Sequence, residues 1–119
     1  MRVDSDAPPE LLISRLEIVM LKHIVLFKLK PSAEGASKEE NAKKIKRDLE
    51  ALRGRIPQIR HIEVGINCIP GDAAYDVAIY SEFENEADLN TYAKHPEHVK
   101  VAEFVGKVRE SRVVVDYVL

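Results

Sequence analysis

The sequence predicts an α+β domain of ferredoxin-like βαββαβ order, with a four-stranded antiparallel sheet. Three observations carry that expectation. Four short stretches alternate apolar side chains with a period of two, as half-buried strands do. One capped, helix-periodic segment lies between the first and second stretches, and another, broken by Pro96, lies between the third and fourth.

The first strand is expected over Lys22–Leu29, with His23, Val25, Phe27 and Leu29 on one face and Ile24 and Leu26 on the other. Pro31 to Gly35 read as a loop. Ser37 with Glu40 forms a capping box, opening a helix whose apolar side is Ala42, Ile45, Leu49 and Leu52. Gly54 ends it and Pro57 prevents its resumption.

A second strand is expected from Ile59 to Ile69, closed by the turn Pro70-Gly71-Asp72. It would contain the single cysteine, Cys68, as a small buried hydrophobe. The third strand runs from Tyr75 to Phe83. Asn85 is placed to cap a short helix carrying Leu89, Tyr92 and Ala93, and Pro96 starts another carrying Val101, Phe104, Val105 and Val108. Arg112 to Leu119 is the fourth strand.

Strands one and four are apolar on both sides, so helices on one face leave large apolar side chains on the other. At about 25 cal/mol per Å² such a patch favours burial. A face-to-face homodimer, two sheets forming a shared dimeric α/β barrel, is the expected arrangement.

Residues 20–119 therefore constitute the domain, and residues 1–19 an N-terminal extension. The extension is acidic and proline-containing, then helix-compatible from Glu10 to Glu17 with Leu11, Leu12, Ile13 and Leu16 as its apolar residues. Two readings stand: an arm that packs on the domain or a partner, or a prefix from an upstream start codon ahead of Met20.

With 119 residues, 45% hydrophobic and 32% charged, the composition is that of one globular domain. A formal charge of -2 offers no footprint for nucleic acid. No apolar run reaches the roughly 20 residues of a membrane span. A lone cysteine suits a reducing compartment, and the expected location is cytoplasmic.

The stretch Thr91–Lys100, TYAKHPEHVK, concentrates the candidate chemistry. His95 precedes proline and is expected to cap the following helix. His98 falls at that helix's third position, where the positive helix end disfavours an imidazolium, and within its apolar arc. Tyr92 shares the inward side of its own helix. A neutral histidine beside a phenol meets the first condition for general acid–base work. A helix corner held by a buried histidine would look the same. No metal site is expected, because Pro96 directs His95 and His98 apart.

Lys22–Leu29, Tyr75–Phe83, Tyr92 with His95-Pro96-Glu97-His98-Val99, and Val114-Val115-Asp116-Tyr117 together resemble the stress-responsive dimeric α/β-barrel (Dabb) family. The resemblance covers Met20 to Leu119. It implies a homodimer through the sheet face, with no cofactor, acting as a non-enzymatic scaffold or a binder of a small apolar ligand. One plant branch of the family comprises polyketide cyclases that close a ring by an aldol-type step, with a histidine as base and a tyrosine assisting. The matching positions are His98 and Tyr92. The cavity of such a protein would be lined by His23, Val25, Phe27 and Val77, the last standing where the branch carries a further histidine. A cofactor-free monooxygenase is the related alternative.

Overall fold

The computed structural model describes residues 19–119. The expectations for residues 1–18, including the helix from Glu10 to Glu17, lie outside the described residues. Strand β1, Leu21–Leu29, is followed by a short hairpin, β2 (Ser32–Ala33) and β3 (Ala36–Ser37). Its two-residue link places Glu34 at φ 52 and Gly35 at φ 74, the paired left-handed conformations of a type I′ turn. The expected loop thus contains a small sheet of its own.

Helix α1, Lys38–Glu50, begins with the expected capping box. Ser37 Oγ accepts from the Glu40 amide at 3.1 Å, and the Glu40 carboxylate accepts from the Ser37 amide at 2.9 Å. A 3₁₀ turn, Ala51–Gly54, carries the chain off the helix. Strand β4 spans His61–Ile66, β5 Val77–Phe83, α2 Glu86–Lys94, α3 Pro96–Val108, and β6 Arg109–Val118. Asn85 caps α2 and His95 caps α3, the latter accepting the Glu97 amide at 3.1 Å on Nδ1.

The sheet is antiparallel in the order β4-β5-β1-β6, the ferredoxin-like arrangement. Register settles its two faces. Val25 lies opposite Ile79 and Val114, and Ile79 opposite Val64, so these four face the helices. Ile24 lies opposite Tyr80 and Val115, and Leu26 opposite Ala78 and Val113. This outer face has no covering element among the described residues. Val113, Val115 and Tyr117 are exposed on it, the apolar second face that the sequence requires.

The outer face is not uniformly apolar. At one end Lys22 Nζ donates to the Tyr80 hydroxyl at 3.0 Å and reaches Glu82 at 3.3 Å, while Tyr80 donates to the Glu82 carboxylate. The hydrogen bond from Tyr80, then that from Lys22, holds the Glu82 carboxyl below its ordinary value.

The sheet's edges differ. On β4, Val64 points its amide and carbonyl away from β5 and toward α1. Glu50 accepts the Val64 amide proton at 3.0 Å, and Lys46 donates to the Val64 carbonyl at 2.6 Å and to Glu50 at 2.9 Å. A salt-bridged pair on a helix therefore occupies a strand edge that would otherwise recruit another strand. The outer edge of β6 pairs with nothing among the described residues.

Three expectations need correction. Strand β4 is shorter than Ile59–Ile69: Ile59 is buried from the turn before the strand, and Ile69 is 74% exposed beyond its end. Cys68 lies outside the strand and is exposed rather than buried. Strand β6 starts at Arg109, because β1 continues pairing past Ser111 through a register shift at Lys28/Leu29.

Candidate functional site

Between α2, α3 and the helix-facing side of the sheet lies a partly open cavity of about 480 Å³. Its sheet wall is His23, Val25, Phe27 and Ile79; the helices contribute Leu89, Tyr92, His98, Val101 and Val105. The volume falls in the range of small-molecule pockets.

The α2–α3 corner positions the polar groups. His95 terminates α2 with an extended backbone, and Pro96 restarts the chain as α3. This turns His98 back over α2, where its Nδ1 lies 3.0 Å from the Ala93 carbonyl. A carbonyl only accepts, so Nδ1 carries the proton and Nε2 keeps its lone pair. Burial holds the imidazole below its ordinary value. The Ala93 bond opposes this, and the nearby charges of His23, Arg112 and His95 reinforce it.

Tyr92 is 3% exposed, and burial pushes its phenol up. Among the described residues its hydroxyl takes no hydrogen bond, and Tyr92 lines the cavity. An aromatic row crosses this wall. His23 and Phe83 have ring centroids 6.4 Å apart, Phe83 and Tyr92 5.0 Å, and Tyr92 and His98 4.3 Å. At the far end, His23 Nδ1 bonds the Asp116 carboxylate, directly opposite it on β6.

The structure brings together His98, Tyr92, His23, Val25 and Phe27 around one cavity. It does not place Val77 there. Val77 is 2% exposed and packed in the core near the other end of β5, two residues before the cavity's Ile79. Three neighbours were not foreseen: Arg109 and Arg112, which line the cavity, and Asp116, which bonds His23. Their signal was the alternation of Arg112, Val114 and Asp116 on one face of β6. That alternation points to the cavity only once the β1–β6 register is known. No group of three or more His, Cys, Asp or Glu able to hold a metal occurs among the described residues.

The ferredoxin-like topology and the cavity between helices and sheet define the class. Residues 21–119 match the family model described as Stress responsive A/B Barrel Domain, and the chain belongs to that family, Dabb. It is 31% identical to a stress-response A/B barrel domain-containing protein of Arabidopsis thaliana over 101 residues, 83% of this chain. The chain spans 36% of that relative's length and 47% of a second Arabidopsis relative's.

Among solved structures, a dimeric protein of unknown function with a ferredoxin-like fold from Bacteroides fragilis superposes with TM-score 0.73. It shares 44% identity, covering 84% of this chain and 96% of that one. A hydroxynitrile lyase from Passiflora edulis superposes with TM-score 0.68 at 24% identity, covering 84% of this chain and 93% of that one; that likeness is one of fold.

Proposed function

We propose that the protein is a homodimeric barrel subunit that binds a small, largely apolar molecule between its helices and sheet, without cofactor. The observation that carries this is the cavity at Tyr92 and His98: apolar walls with a few convergent polar groups, the usual make-up of a ligand site. The dimer is supported by the outer face, uncovered among the described residues, and by the dimeric Bacteroides fragilis relative. Within the cell the expected location is the cytoplasm; no described helix is long and apolar enough to cross a membrane.

Filling the cavity tests the proposal. Val101→Trp should abolish binding of a fluorescent apolar probe such as Nile red while sedimentation still gives a dimer. Unchanged probe binding would refute the cavity reading. Val115→Lys, on the outer face, should give a monomer; a dimer of unaltered affinity would refute the sheet-face interface.

A second reading is favoured by one observation. His98 is anchored through Nδ1 and kept neutral, leaving Nε2 as a base directed by its backbone bond. In a cofactor-independent enzyme, Nε2 would take an α-proton from an enolisable substrate. The electron pair would move to the carbonyl oxygen, with the Tyr92 hydroxyl as the assisting donor. Deuterium exchange at the α-carbon of a bound apolar ketone, lost in His98→Gln, would select this reading. Exchange equal to that in buffer would exclude it.

A further inference from the structure

We propose that the ligand of this cavity is a carboxylic acid, its apolar part against Val25, Phe27 and Leu89 and its carboxylate at Arg112 and Arg109. The proposal rests on the cavity being a ligand site and adds the ligand's chemical class.

The lining contains two arginines and neither aspartate nor glutamate. The whole chain has a formal charge of -2, so the cavity's sign opposes that of the molecule. Arg55 and Arg60 each meet a carboxylate, at 3.2 Å from Glu97 and 2.7 Å from Glu84. Among the described residues Arg109 and Arg112 meet none. Asp116, on the same face of β6 as Arg112, is engaged by His23 at the far end of the aromatic row.

Position agrees with this use. Arg112 lies opposite Phe27 on the helix-facing side of the sheet, and is exposed. Its charge is felt by both the His98 imidazole and the Tyr92 phenol. Arg109 stands three residues earlier on the same strand, half-buried at the α3–β6 junction. A guanidinium offers a planar pair of donors that matches a carboxylate, which an amide or alcohol cannot match with equal charge. Asn90, also in the lining, adds a neutral amide. The arrangement is an apolar slot with a cationic mouth, suited to an alkanoic or arylalkanoic acid entering tail first.

The experiment compares octanoate, decanoate and phenylbutyrate with their primary amides, by calorimetry at low and high salt. Each acid should bind about fivefold or more tightly than its amide at low salt, the modest figure reflecting an exposed Arg112. Arg112→Gln with Arg109→Gln should remove that preference, with circular dichroism reporting the fold. If the variants do not fold, salt decides on the unaltered protein. A preference that shrinks as salt rises supports the proposal; one insensitive to salt overturns it. Equal affinity for acid and amide overturns the carboxylate assignment alone and leaves the cavity standing. Failure of every acid and every amide to bind overturns the cavity reading and this proposal together. As a separate readout, an acid at Arg112 should raise the His98 titration followed by NMR, and its amide should not. An unmoved titration with the acid bound overturns the placement.

Discussion

The rings of Tyr92 and His98 lie 4.3 Å apart between centroids and are tilted by 44°. The imidazole spends Nδ1 on the Ala93 carbonyl, while the phenol hydroxyl takes no hydrogen bond among the described residues. The contact between them is one of faces and edges, worth about 0.5–1.5 kcal/mol beyond the area buried. The corner is thus held by ring packing, the His98–Ala93 bond, the His95–Tyr92 backbone bond and the His95 cap. His98 Nε2, like the Tyr92 hydroxyl, takes no hydrogen bond among the described residues.

The first prediction concerns pH. The folded protein holds His98 below its ordinary value of 6.5 by burial above all, and the unfolded chain does not. As pH falls through 6.5, the unfolded state takes up the proton first, so stability declines until the folded state also protonates. Denaturation midpoints measured at stepped pH should fall over that window. In His98→Gln the decline should be shallower; an identical slope would show that His98 is not its source.

Tyr92 separates packing from chemistry. Tyr92→Phe removes only the hydroxyl, which has no described partner, and should change stability by less than about 1 kcal/mol. Tyr92→Ala empties the space against Phe83 and should cost about 3–5 kcal/mol, as truncation of a buried aromatic ring does. Chemical denaturation of both variants checks the pair. A large loss in Tyr92→Phe would mean that the hydroxyl is structurally engaged.

Glu50 is tested through Val64. Its carboxyl lies below its usual value because the bonds from Lys46 and the Val64 amide outweigh the opposing effect of burial. Glu50→Ala leaves the Val64 amide, in a residue 2% exposed, without its acceptor. The expected loss is about 1–3 kcal/mol, with faster hydrogen exchange at Val64. Unchanged exchange there would refute the edge contact.

Much of this architecture was legible in the chain because local rules and the final packing agree. Ser37 with Glu40, Asn85, and His95 with Pro96 each mark a helix start that the fold uses. The ends of strands were harder. Arg109-Glu110-Ser111 has no apolar alternation, so nothing in those residues announces that β6 has begun; pairing with β1 decides it. Ile59 is buried by the turn that carries it, which its apolarity alone cannot distinguish from a strand. The inward pair Tyr92 and His98 followed from helix periodicity. Arg109 and Arg112 depended on a register between distant strands, and Val77 was misplaced by the same missing distance along β5.

The clamp of Lys46 and Glu50 on Val64 bears on how far copies of this chain can add to one another. A sheet that grows without limit needs a free margin on each side, one to receive and one to offer. Here the β4 margin is occupied at Val64 by the molecule's own helix, and the β6 margin is unpaired among the described residues. A sheet blocked at one margin cannot extend edge to edge without limit, so the geometry favours a closed assembly over a fibre.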